Sequence, residues 1–304
     1  MTETAVMRSS GNLASGGVPA LPSSQSFRER LPRPDVGGLV TCVWVQQIST
    51  GAPLYEHRTV PNGSVEISCV LGTGLIRVGG PKRTPAMQPL APGETVVGLR
   101  LRPGVAPAVL GLPVSELVDV DVELDRLWGR SAVTLGERLA EAASTEDAAR
   151  LLEQELVTRS AGAPEPDSLV AEAVKRLQPW QPANVTQLTS ELFISPRQMR
   201  RRFLAAVGYG PKALQRILRF QGFLALSDAC HADDMTLARL AGMAGYADQA
   251  HLTRECSRLC GLTPSAFLEE TRRSCGPTHD HTPSLGRLRR ALVSAHGPTV
   301  APRG

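Results

Sequence analysis

One stretch of this chain occurs twice in outline, about fifty residues apart, and that duplication limits what the C-terminal half can be. The first copy reads Ser195-Pro196-Arg197-Gln198-Met199-Arg200-Arg201-Arg202-Phe203, then Gly208-Tyr209-Gly210-Pro211. The second reads Asp248-Gln249-Ala250-His251-Leu252-Thr253-Arg254-Glu255-Cys256, then Gly261-Leu262-Thr263-Pro264. Each has an apolar i, i+4 pair, Met199/Phe203 and Leu252/Cys256, and each ends at a glycine three residues before a proline. Ser195 and Asp248 are good N-caps, and Pro196 suits a first helical position. A short helical stretch precedes each copy, 187–192 and 238–243. Two short helices joined by a tight turn, then repeated, read as tandem helix-turn-helix units.

Charge makes DNA the expected partner. Between Ser195 and Gln221 stand Arg197, Arg200, Arg201, Arg202, Lys212, Arg216 and Arg219, with no acid among them. The whole chain is only +4, so this one segment carries the excess. A local basic patch is what a phosphate-binding surface requires. In the first unit Arg197, Gln198, Arg200 and Arg201 are placed to reach base edges. Arginine can pair with guanine through both O6 and N7. In the second unit Gln249, His251, Thr253 and Arg254 are the candidates, and Gln suits adenine. Arg202, Lys212, Arg216 and Arg219 are the candidate phosphate contacts. Residues 211–228 form a connecting helix of about 27 Å, against about 34 Å for one turn of B-DNA. Such a connector could set the two recognition helices in successive major grooves.

The N-terminal half carries a different signal. Residues 39–45, 65–71, 75–78 and 95–101 are short and β-branched, with turns such as Pro61-Asn62-Gly63 between them. They suggest a small barrel or sandwich. Helical spacing follows at 131–143 and 145–159, with Ser144 as the boundary. The expected class is therefore α+β: an N-terminal small β-barrel-like domain with flanking helices, and a C-terminal all-α domain of two helix-turn-helix units joined by a linker helix. The expected boundaries are a disordered lead at 1–26, a sensory or dimerisation domain at 27–160, and a linker at 161–167. The DNA-binding domain follows at 168–273, and 274–304 reads as a disordered tail apart from a helix around 285–294. No apolar run is long enough to span a membrane, and the start lacks an apolar signal core, so a cytoplasmic location is the default expectation.

Residues 185–268 resemble the C-terminal domain of the AraC/XylS family of bacterial transcription regulators. The resemblance is strongest at Gly245-Tyr246-Ala247-Asp248-Gln249-Ala250-His251-Leu252-Thr253-Arg254 and at Gly261-Leu262-Thr263-Pro264-Ser265. Cys256 and Cys260 depart from it, standing where the family commonly has aromatic residues. Segments 60–67, 98–104 and 124–129 resemble, more loosely, a sensory domain of some family members. The resemblance implies binding to double-stranded DNA without catalysis, with RNA polymerase, a small-molecule effector and a second copy of the chain as further partners.

Other constellations are weaker. Cys256, Cys260 and His251 have helical spacing, but both cysteines fall on the inward face and read as core. Cys275, His279 and His281 lack a fourth ligand at sensible spacing. No metal or cofactor is expected. Arg100 and Arg102 alternate along a strand, and if that face points into a pocket they would favour an anionic effector. The rival class is a metal-dependent, cupin-like enzyme with a helical tether, for which only His57, Glu56 and Glu66 are on offer.

Overall fold

The computed structural model describes residues 25–181, 184–229, 236–275 and 279–296. Most of the expected disordered lead lies outside the described residues. Among the described residues the N-terminal domain has eight strands: β1 Gln25–Arg30, β2 Val40–Ile48, β3 Tyr55–Thr59, β4 Glu66–Val70, β5 Ile76–Gly79, β6 Ala86–Leu90, β7 Thr95–Leu101 and β8 Asp121–Glu123. Six of them make one antiparallel sheet in the order β1-β2-β7-β4-β5-β8, and β3 pairs with β6 in a second, two-stranded sheet. The larger sheet ends at β1 and β8, which do not pair with each other, so it resembles a barrel without closing into one. Strands β2, β4, β5 and β7 fall where β-branched runs place them, whereas β1, β3, β6 and β8 carry no such run.

One face of the sheet is ordinary core. Val43, Ile67, Val78, Val97 and Leu99 are buried against helices α1 Ala106–Leu110, α2 Asp125–Trp128, α3 Arg130–Ala140 and α4 Thr145–Ser160. Ser144 caps α4, its side chain accepting from the Asp147 backbone N–H. The opposite face carries Gln25, Glu29, Gln46, Glu66 and Arg100 around an apolar patch of Phe27, Trp44 and Val96.

Among its described residues the C-terminal domain has seven helices ahead of the tail: α5 Ser168–Arg176, α6 Val185–Glu191, α7 Pro196–Val207, α8 Pro211–Ala229, α9 Leu237–Met243, α10 Gln249–Cys260 and α11 Pro264–Cys275. Met199, Phe203, Leu214, Phe220, Phe223, Leu240, Leu252 and Cys256 share one core. Helices α7 and α10 each stop at a glycine in the left-handed conformation, Gly208 at φ 81° and Gly261 at φ 78°. The repeated glycine is needed there because other residues resist positive φ.

The two domains are docked together. Gly63 turns so close to α8 that a Cβ would stand 2.8 Å from Leu214 Cδ1. Gln221 Nε2 donates to the Pro61 carbonyl (2.9 Å), and the Tyr209 hydroxyl donates to the Lys82 carbonyl. Arg58 grips Glu270 at 2.6 and 3.1 Å and donates to the Cys260 carbonyl at 3.2 Å.

The tail departs from expectation. Helix α12 runs Thr282–His296, longer than the sequence suggests, with Leu292 fully buried in the C-terminal core. Just before it, Asp280 lies along β1: the Asp280 N–H donates to the Phe27 carbonyl (2.9 Å), and the Glu29 N–H donates to the Asp280 carbonyl (3.1 Å). Glu29 then receives Arg100 Nη1 (3.1 Å), His281 Nδ1 (3.2 Å) and the Ser284 backbone N–H (2.9 Å). Burial would raise the Glu29 carboxyl, but the His281 hydrogen bond, Arg100 and Ser284 together hold it down at about 2. A depressed carboxylate contributes stability that is complete above its unfolded value near 4.5 and is lost as pH falls towards 2. That contribution is about 3 kcal/mol. Urea unfolding followed from pH 5 to 2 should show the loss in the wild type and a flatter profile in Glu29→Gln. Parallel profiles in the two proteins would remove Glu29 as the cause.

Candidate nucleic-acid interface

Helices α6 and α7 form the first helix-turn-helix unit, and α9 and α10 form the second. The start of α7 is fixed by a reciprocal cap: the Gln198 backbone N–H donates to Ser195 Oγ (3.2 Å), and the Ser195 backbone N–H donates to Gln198 Oε1 (3.0 Å). Two orphan donors at the helix start are thereby satisfied. Met199 and Phe203 are buried at 1% and 0% exposure, so the helix cannot rotate about its axis without exposing them. Arg197, Arg200 and Arg201 are consequently presented to solvent, as the sequence pattern indicates. Gln198 is also exposed, but its side-chain oxygen is held by the cap.

In the second unit Asp248 caps α10, accepting the His251 backbone N–H at 2.6 Å. Leu252, Cys256 and Cys260 are fully buried, and the two thiols lie 3.3 Å apart in the core. Gln249 and Arg254 are exposed. Thr253 is half-buried, and its hydroxyl donates to the Gln249 carbonyl (2.9 Å). His251 is half-buried too, edge-on to the Tyr246 ring at 5.2 Å.

The candidate phosphate contacts divide. Lys212, at the start of α8, is exposed. Arg202 instead holds Asp167, the cap of α5, at 2.9 Å. Arg216 faces Glu255 of α10 at 3.9 Å, and Arg219 stands 5.6 Å over the Tyr246 ring. Those three cations stand beside groups of their own domain, which one-dimensional charge counting cannot reveal.

A crevice of about 1630 Å³ runs between the polar face of the sheet and the C-terminal domain. Its lining includes Trp44, Gln46, His57, Arg100, Gln221 and Leu285. Arg100 faces into it, but Glu66 (2.8 Å) and Glu29 (3.1 Å) already neutralise its charge, so it is poorly suited to an anion. Arg102 lies outside the lining and donates to the Gly37 carbonyl (2.8 Å). His57 is half-buried, its desolvation lowers it to about 4, and its Nδ1 lies 3.2 Å from Gln46 Nε2. Glu66 accepts from Asn62 (2.8 Å) as well as Arg100. His57 and Glu66 therefore have hydrogen-bond partners within the protein, and among the described residues no three potential ligands gather around a metal position. The Cys275 side chain lies outside the described residues. No described helix is long and apolar enough to cross a membrane.

Two parts of the chain match known families. Residues 28–123 match one described as a domain of unknown function (DUF6597), ending with β8. Residues 188–270 match one described as a helix-turn-helix domain, reaching from α6 into α11. No curated protein matches. Among solved structures, one of ToxT from Vibrio cholerae is similar, with 11% identity over 80% of this chain and 98% of that chain and a TM-score of 0.41. An apo ToxT variant from the same organism has 12% identity, 75% and 97% coverage and a TM-score of 0.41. Wild-type ToxT with a bound unsaturated fatty acid has 9% identity, 83% and 97% coverage and a TM-score of 0.39. The helix-turn-helix match spans both units and the helix between them, and with the signature around α10 it supports reading residues 188–270 as the helix-turn-helix domain of a DNA-binding transcription regulator of AraC/XylS type.

Proposed function

We propose that the protein binds a specific DNA sequence by placing α7 and α10 in successive major grooves, and that a ligand in the interdomain crevice modulates this. The observation that carries the first part is the shared helix. Helix α8 has 19 residues and packs into the same core as α7 and α10, so both recognition helices are set by one rigid rod. Its length of about 28 Å approaches one turn of duplex. Arg197, Arg200 and Arg201 supply base and backbone contacts from α7, and Gln249 and Arg254 supply them from α10. Thr253 and His251 are positioned beside them. Lys212 is the phosphate contact on α8, since Arg202, Arg216 and Arg219 are engaged within the protein.

The second part rests on the polar sheet face. Burying Gln25, Glu29 and Gln46 and half-burying Glu66 and Arg100 costs more than burying aliphatic residues, and the fold already has a complete core on the other face. Because Arg100 is flanked by two carboxylates, the crevice suits an uncharged or cationic ligand. A thermal-shift screen of the full-length protein should return such compounds, and hits dominated by carboxylates or phosphates would overturn this assignment.

The DNA assignment is tested by mutation. A duplex is first selected from a random pool by the wild type. Arg201→Ala and Arg254→Ala should each weaken its binding by ~1–3 kcal/mol and relax the preference at one base position. Gel shifts at fixed salt showing full affinity and unchanged preference in both variants would discard these helices as readers. Lys212→Ala should weaken all duplexes alike and reduce the salt slope by about one; an unaltered slope would place Lys212 off the DNA.

A further inference from the structure

The turn between α6 and α7 consists of Leu192, Phe193 and Ile194, followed by the cap Ser195. Leu192 and Ile194 are half-buried and pack on the C-terminal core. The turn is closely defined by its backbone: the Phe193 N–H donates to the Ser190 carbonyl (3.2 Å), and the Ile194 N–H donates to the Thr189 carbonyl (3.1 Å). Within it Phe193 adopts φ +52° and its side chain stands out into water, 95% exposed. Both features are unfavourable. Aromatic residues resist the left-handed region, where Gly or Asn sits without strain. An exposed ring also forgoes burial that a polar residue would not need. Neither penalty is offset by a contact that builds the fold, so the position fits a residue whose contact is made in a complex.

The surroundings indicate which complex. Phe193 lies two residues before the cap of α7, and the next exposed side chains along that helix include Arg197, Arg200 and Arg201. The nearest acid in sequence, Glu191, is paired with Arg176 at 2.9 Å. An aromatic ring in a cationic setting suits nucleic acid. A recognition helix enters the major groove by its N-terminal end, while the helix before it crosses the backbone, so the intervening turn meets the strand bordering the groove. We infer that Phe193 is a DNA contact whose ring packs on the deoxyribose faces of that strand. It supplies apolar burial independent of base sequence. This rests on the reading above that α7 enters the groove.

The test uses the full-length protein and the duplex selected by the wild type, in gel shifts at several salt concentrations. Phe193→Asn, which keeps the turn without strain, should melt no lower than the wild type. It should bind about tenfold more weakly. Its salt slope should be unchanged, because no cation has been removed. Phe193→Leu should retain most of the affinity. Equal affinity of wild type and Phe193→Asn overturns the inference and leaves the DNA reading standing. Lower melting of Phe193→Asn overturns it in favour of a structural ring. Normal DNA binding with lost transcription activation assigns the ring to a protein partner instead. A wild type that selects no duplex overturns both readings.

Discussion

The C-terminal half depends on the burial of one side of α8. Leu214, Ile217, Phe220, Phe223 and Leu226 are between 0% and 3% exposed, each worth about 2 kcal/mol removed from water. This single rod contacts α7, α9, α10 and α12. Because Phe203 and Leu252 pack in the core it shares, the faces of α7 and α10 are fixed relative to one another before any partner arrives. The remaining cations are then placed by geometry: those turned back towards neighbouring helices become braces, and those turned away remain available.

The same rod couples the halves of the molecule. The Asn62-Gly63 turn rests on Leu214, and Pro61 accepts from Gln221 one helical stretch further on. A shift of the β-domain against α8 would therefore disturb the helix that spaces the two recognition units. The crevice lies along this seam, so a ligand of the kind proposed above would bear on the spacing through contacts already present. No further relay between sites is required.

Much of this arrangement was legible in the chain. The glycines at 208 and 261, the caps Ser195 and Asp248 and the apolar i, i+4 pairs locate the recognition helices, since these are local requirements of backbone and packing. The fate of Arg202, Arg216 and Arg219 was not legible, because their partners Asp167, Glu255 and Tyr246 are brought near only by folding. Strand β1 was missed for a similar reason. Its inward residues are Gln25, Phe27 and Glu29, so its alternation is real but not hydrophobic. Phe193 was hidden inside the run Leu192-Phe193-Ile194, which reads as core although its middle member points outward.

The pairing of Asp280 with β1 joins the two ends of the described chain. A ribosome makes β1 first and its neighbour on that edge some 250 residues later, as the 252-residue separation of Glu29 and His281 records. Throughout synthesis the edge of the sheet, the Glu29 carboxylate and the ring of Phe27 wait without their final covering. The β-domain thus cannot reach its finished form until the segment around Asp280 has emerged, and a chain interrupted before α12 would leave β1 as an open edge.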